Sequence, residues 1–241
     1  MSAALDAHAY DFAPVGSAVR VAVAGAQAWL RASGALWLPG DAALVAADLH
    51  LEKGSAYASR GQLLPPYDTR DALARLGAEI EALDPRLVVM LGDSFHDGEA
   101  ETRLCAEDAR TLVTLARGRT LIWVTGNHDP RPPAALPGEA VDAISVAGLN
   151  LRHEPANGRA WAEVAGHLHP CARIAAGGRS VRRRCFVTDG ARLILPAFGA
   201  YAGGLNIRDA AFAGLFARPP LAVALGARRA HAVGWRSVRG D

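Results

Sequence analysis

The sequence predicts an α/β fold in which two β-sheets pack face to face with helices outside. Three observations lead there. Short apolar runs alternate with amphipathic helical patterns through residue 124, and after residue 140 the chain turns to short strands. A βαβαβ half followed by a strand-rich half calls for two packed sheets. Each of the first three apolar runs also stops on polar residues, as strands of open α/β sheets do where ligands gather.

Taken in order, Val19 to Leu38 reads as edge strands ahead of a Pro39-Gly40-Asp41 turn. Leu44 to Ala47 ends at Asp48, Leu87 to Leu91 at Gly92-Asp93, and Leu121 to Val124 before Gly126-Asn127. Apolar runs this short, bounded by turn residues, suit strands buried on both faces. Between the first two, Asp68 is positioned to cap a helix with Leu73, Leu76, Ile80 and Leu83 on one face, stopping before Pro85. Between the next two, Glu99 to Arg117 reads as one helix, with Leu104, Leu112 and Leu115 inward and Gly118 as its stop. Ala140 to Val146, Leu149 to Arg152, Trp161 to Ala165, Cys185 to Thr188 and Leu193 to Leu195 follow as strands. No repeat, coiled coil or linker interrupts them, so residues 1–241 read as a single domain.

With 51% apolar and 21% charged residues, the composition is that of a globular chain rather than a disordered one. No apolar run reaches the roughly 20 residues needed to span a bilayer. Asp6, His8 and Asp11 break up the first sixteen residues, so no signal peptide is expected. Cys105, Cys171 and Cys185 are odd in number and form no C-x-x-C pair. They read as reduced, buried thiols of a cytoplasmic protein without membrane partners. A net charge of +2 makes no global case for nucleic acid. The cations are nevertheless nearly all arginine and cluster at Arg179, Arg182, Arg183 and Arg184, then at Arg228, Arg229, Arg236 and Arg239. That is either a phosphate-seeking surface or a solvated basic face.

Asp48-Leu49-His50, Gly92-Asp93, Gly126-Asn127-His128-Asp129, His153 and Gly166-His167-Leu168-His169 occur in that order. In an extended segment, residues two apart share a face, which pairs Asp48 with His50 and His167 with His169. Taken singly, these are weak signals: a Gly-Asp is usually a turn, and a lone histidine is usually a hydrogen-bonded one. Jointly they supply oxygen and imidazole donors without thiolate, a set suited to manganese, iron or zinc in a two-metal phosphoester centre. His128 is left free to transfer a proton or stabilise developing charge, and Asp129 is placed to orient it.

These motifs resemble the calcineurin-like metallophosphoesterase superfamily over roughly residues 43 to 200. The resemblance implies the αββα sandwich and two divalent ions, one held by Asp48, His50, Asp93 and His169. The other would be held by Asp93, Asn127, His153 and His167, with Asp93 bridging. Where phosphoprotein phosphatases carry a second aspartate, this chain has His96 followed by Asp97. That is similar to the nuclease subunits of double-strand-break repair, although His96 also suits a simple hydrogen-bonding role beside the ligands.

Ala47 to Gly54, Arg60-Gly61, Leu64 to Thr69 and Pro196 to Asn206 together resemble the ligase-associated DNA damage response endonuclease (PdeM) family. This implies a bacterial manganese-dependent DNA endonuclease acting with a DNA ligase, a helicase and an exonuclease. Loop 52–67, with Lys53, Tyr57 and Arg60, is the candidate DNA contact, since a cation beside an aromatic ring can hold phosphate and stack a base. The same loop also reads as a plain helix approach. The competing functions are a small-molecule phosphodiesterase, acting on cyclic nucleotides or nucleotide-sugar lipids, and a non-catalytic docking subunit of the same fold.

Overall fold

The computed structural model describes residues 10–131, 133–176 and 178–241; Asp6 and His8 lie outside them. The chain opens with β1 (Phe12–Val15), β2 (Ala18–Val23), β3 (Ala26–Leu30), β4 (Leu36–Leu38) and β5 (Ala43–Ala47). Helices α1 (Lys53–Ala58) and α2 (Asp68–Leu83) lead to β6 (Leu87–Leu91), and α3 (Ala100–Arg103) and α4 (Ala106–Ala116) lead to β7 (Thr120–Val124). Then come β8 (Glu139–Val141), β9 (Ala143–Val146), β10 (Leu149–Arg152), β11 (Glu163–Ala165), β12 (Pro170–Ala176), β13 (Arg179–Thr188) and β14 (Arg192–Ile194). The chain closes with β15 (Leu205–Asn206), β16 (Leu221–Leu225), β17 (Ala230–Val233) and β18 (Val238–Arg239).

The first sheet has eight strands in sequence order, antiparallel from β1 to β5 and parallel from β5 to β8. The second runs β15-β12-β13-β14-β11-β10-β9, with β16 on β13, β17 on β16 and β18 on β12. Alternation along β5 shows how the layers are built. Ala43, Val45 and Ala47 join Val89, Leu91, Phe186 and Leu193 between the sheets, while Leu44 and Ala46 meet Leu73, Leu76 and Leu112 of the helices. A strand buried on both faces must be apolar throughout, as β5 is. On the far side of the second sheet, Ile207, Phe212, Leu215 and Val238 cover Cys185, Val187 and Ala222. The cover there is 3₁₀ turns and a short strand. No described helix is long and apolar enough to cross a membrane.

Several local expectations are corrected. Asp68 does not cap α2: Tyr67 holds that position, and the Asp68 carboxylate accepts the Gly54 N–H at 2.9 Å, tying α2 to α1. Glu99 to Arg117 is not one helix, because Leu104 and Cys105 turn extended. Arg103 is pulled back to Asp97 at 2.8 Å and to Ser55 at 3.0 Å, contacts that outweigh helical propensity there. Trp161 is 74% exposed and outside the strand, which left-handed Ala162 delays to Glu163. Ala140 to Val146 splits at Asp142 between the two sheets. Cys171 and Cys185 are buried, but Cys105 is exposed and donates to Asp108 at 3.2 Å. Loop 52–67 contains α1.

Candidate metal centre

Five parallel strands, β5, β6 and β7 of one sheet with β10 and β11 of the other, deliver the candidate ligands just beyond their carboxyl ends. The loops that follow are laced together: Asp48 N–H donates to Gly92 at 3.1 Å and His50 N–H to the Asp93 carbonyl at 2.9 Å. From the second sheet, the loop after β14 joins them, Gly199 N–H donating to the Asp48 carbonyl at 3.0 Å.

The carboxylate-bearing candidates form two groups, Asp48, His50 and His169 in one and Asp93, His153 and His167 in the other; a third cluster, all imidazole, joins His50 with His96 and His128. The pairing of His167 with His169 on one face is therefore corrected: each serves a different group. Both lie past the end of β11 in left-handed turns, with φ of 67° and 45°. Asp48, His50 and Asp93 are left-handed too, with φ of 54°, 45° and 46°. Such backbone costs on the order of 1 kcal/mol per residue and gathers at functional sites. It is this turning, not strand pleat, that aims the donors. Gly92 makes room, since a Cβ there would collide with the His153 ring.

Asp93 Oδ2 lies between the groups, 3.9 Å from His50 Nε2 and 3.4 Å from His153 Nε2. Asp48 Oδ1 is 3.4 Å from His169 Nε2, and Asn127 Oδ1 is 2.9 Å from His153 Nε2. Two pairs of imidazole nitrogens face one another, His50 Nε2 with His169 Nε2 and His167 Nδ1 with His153 Nε2, each at 3.2 Å. Separations of about 3 Å are the edges expected between ligands bonded at roughly 2.0–2.2 Å to a common ion. The donors thus fit divalent cations. Their charge states fit as well. Burial raises the Asp93 carboxyl, but the hydrogen bond and charge of His153 and the His128 N–H outweigh it and bring it to about 2. Burial, then the neighbouring His169, lowers His50 to about 3. An ionised carboxylate beside a neutral imidazole is what metal binding requires.

His128 is exposed beside this pair, its Nδ1 2.8 Å from the His96 carbonyl oxygen. Asp129 was expected to orient it and does not: its oxygens accept the N–H groups of Phe95 at 3.0 Å and Gly126 at 3.1 Å. A backbone carbonyl orients His128, and Asp129 braces two of the loops. Burial, the largest influence, raises the Asp129 carboxyl to about 6. The His96 ring stacks on His128 at 5.4 Å, and burial with the charge of Lys53 lowers it to about 4.

Tyr57 reaches the same rings, 5.9 Å from His96, with Lys53 Nζ 5.9 Å from the Tyr57 ring. Arg60 follows α1 and is exposed. The helix owes its placement to residues that sequence reasoning passed over. Glu52 accepts Thr69 Oγ1 at 2.9 Å and Ser55 Oγ at 2.7 Å, rooting α1 on α2. Arg75 donates to the Phe198 carbonyl at 2.6 Å, and Arg184 to those of Ala197 and Gly199 at 2.8 and 2.9 Å. These two arginines hold the loop that touches Asp48. No spacing rule marks them, because their partners are backbone carbonyls distant in sequence.

A crystal structure of Pseudomonas putida nuclease MPE matches the fold with a TM-score of 0.68 at 26% identity, covering 90% of this chain and 100% of that one. Yfce, a phosphoesterase from E. coli, matches at 15% identity over 80% of this chain and 98% of its own, with a TM-score of 0.38. No curated protein matches. The family model described as calcineurin-like phosphoesterase matches residues 43–182. That segment begins with β5 and runs past the last candidate ligand, so the chain belongs to the calcineurin-like phosphoesterase family and its chemistry is phosphoester hydrolysis.

Proposed function

We propose that this phosphoesterase is a two-metal, manganese-dependent DNA endonuclease that incises single-stranded, nicked or looped DNA during bacterial repair. The observation that carries the reading is Asp93 Oδ2 lying between two donor groups, which suits a pair of ions sharing one carboxylate. The nuclease assignment draws on the P. putida nuclease, all of whose chain is covered by the match.

Asp48, His50, Asp93 and His169 would hold one ion, and Asp93, Asn127, His153 and His167 the other. Divalent ions there supply Lewis acidity and lower the pKa of water for attack on phosphorus. The remaining steps belong to the chain. With Nδ1–H donated to the His96 carbonyl, His128 would present Nε2 to the departing oxygen and, in its doubly protonated imidazolium form, give it the Nε2 proton and return to the neutral Nδ1–H ring. His96, stacked on that ring, keeps its plane and borders the substrate. Asp129 keeps the Gly126 and Phe95 loops at one spacing. Lys53 and Arg60 take backbone phosphates, and Tyr57 stacks an unpaired base. We take residues 1–241 as a single domain, a reading supported among the described residues by β15 to β18, which complete the second sheet beyond the family match. We place it in the cytoplasm, working alongside a DNA ligase, a helicase and an exonuclease.

The test is incubation with circular single-stranded DNA and manganese, followed by end-group analysis. Nicked circles are expected. Hydrolysis of a chromogenic diester without nicking would instead mark a small-molecule phosphodiesterase, and metal binding without hydrolysis of either a docking subunit. The Lys53→Ala/Arg60→Ala double variant is expected to lose more activity on DNA than on the diester.

A further inference from the structure

Strand pairing brings together two arginine clusters that lie far apart in sequence. On β12, Arg173 stands directly opposite Arg182 of β13 on one side and Arg239 of β18 on the other. The three therefore share one face of the sheet, in a row roughly 10 Å across at normal strand spacing. Like charges placed directly opposite one another destabilise a sheet, and the fold does little to relieve them. Among the described residues one carboxylate approaches, Asp241, 3.4 Å from Arg182 Nε. The other partners are neutral: Arg173 donates to Ser180 Oγ and the Gly240 carbonyl, each at 3.4 Å, Arg182 to the Gly204 carbonyl at 2.5 Å, and Arg239 to the Arg236 carbonyl at 2.7 Å. Arg182 and Arg239 are exposed.

The row also has a fixed relation to the candidate metal centre. β12 starts one residue after His169, and Arg173 lies four residues along the chain from that ligand, about 13 Å away at strand rise. The loop whose Gly204 carbonyl binds Arg182 begins at Gly199, which touches Asp48, and its Tyr201 hydroxyl donates to the Pro65 carbonyl at 2.7 Å, close after Arg60. The row thus adjoins the side of the centre where α1 presents Lys53 and Tyr57.

We infer that Arg173, Arg182 and Arg239 form a track for the sugar-phosphate backbone of a nucleic acid running away from the scissile phosphate. This rests on the reading of the substrate as DNA. A reach of about 13 Å spans a few nucleotides of backbone, so the row meets phosphates beyond the scissile one. The track meets only backbone, so it contributes affinity and register without choosing sequence.

Binding tests it without relying on cleavage. Fluorescence anisotropy of a labelled thirty-nucleotide oligothymidylate is measured in EDTA against salt concentration, for wild type and for the triple variant Arg173→Gln, Arg182→Gln, Arg239→Gln. Neutralising three phosphate contacts on a single strand is expected to flatten the log K against log salt slope by about 2 and to weaken binding on the order of a hundredfold near 0.1 M salt. The triple lysine variant is expected to keep the slope, and melting temperatures no lower than wild type's certify that both variants fold, the glutamine variant being relieved of the opposed charges. An unchanged slope in the glutamine variant overturns the track, as does a wild type that does not bind or that poly-glutamate displaces as readily as DNA. A wild type that binds through the row but never nicks a circle would sink the endonuclease reading and leave the track standing.

Discussion

Two buried polar groups in this molecule contrast sharply. Around Arg192, a guanidinium with no exposed surface, the protein supplies the partners. Glu163 Oε1 lies 2.7 Å from Nε, an ion pair off the N–H axis rather than a hydrogen bond, and the charge is closed by Nη1 and Nη2, which donate to the carbonyls of Gly158, Leu215 and Ala156 at 2.8, 2.9 and 2.7 Å. Asp189 accepts the N–H groups of Ala191, Arg192 and Ala217. At the strand ends the reverse holds. Imidazole nitrogens face each other at 3.2 Å, and His50 Nδ1 is buried without a hydrogen-bond partner. Five candidate ligands there sit on left-handed backbone. A polar cluster that closes on itself is part of the fold. One that stays open, on strained backbone, is shaped for something the chain does not contain.

The largest test of that contrast is Asp93→Ala. It is expected to reduce turnover to background and to abolish two-ion binding, while the metal-free protein, with the His128 N–H left unpaired, loses about 1–3 kcal/mol of stability. Chromogenic diester hydrolysis, metal analysis and urea unfolding read the three effects. His128→Ala comes next: it is expected to keep both ions and lose about 10²–10⁴-fold in kcat, and loss of metal instead would make His128 a ligand. Glu163→Ala inverts the pattern. It strands a buried guanidinium and is expected to cost about 3–5 kcal/mol in urea unfolding, with ion stoichiometry unchanged in the folded protein. A smaller loss would mean that the carbonyls alone satisfy Arg192. The smallest effect is at Ala147, left-handed with Gly148 in the turn between β9 and β10. Ala147→Asn suits that backbone and is expected to raise stability by about 0.5–1 kcal/mol without altering hydrolysis.

How far the sequence discloses all this depends on which force shapes each part. The parallel core was legible because burial on both faces demands unbroken apolar runs, and Asp48, Asp93 and Asn127 stand out as the polar residues that end them. The parting of His167 from His169 was not legible, since it follows from left-handed turns at residues with no intrinsic preference for them. Asp129 looked like a partner for its neighbour and instead reaches Phe95, a contact set by tertiary packing. The exposed half of β13 escaped notice because Arg182 and Arg183 interrupt any apolar run, and β15 and β18 are only two residues long. Arg75 and Arg184 act on a loop that only the closed fold brings to them.

Anomalous diffraction from crystals grown with excess manganese tests the central claim most directly. Two ions are expected about 3.5–4 Å apart, one against Asp48, His50 and His169, the other against Asn127, His153 and His167, with Asp93 touching both. A single ion, or two that do not share Asp93, would contradict it.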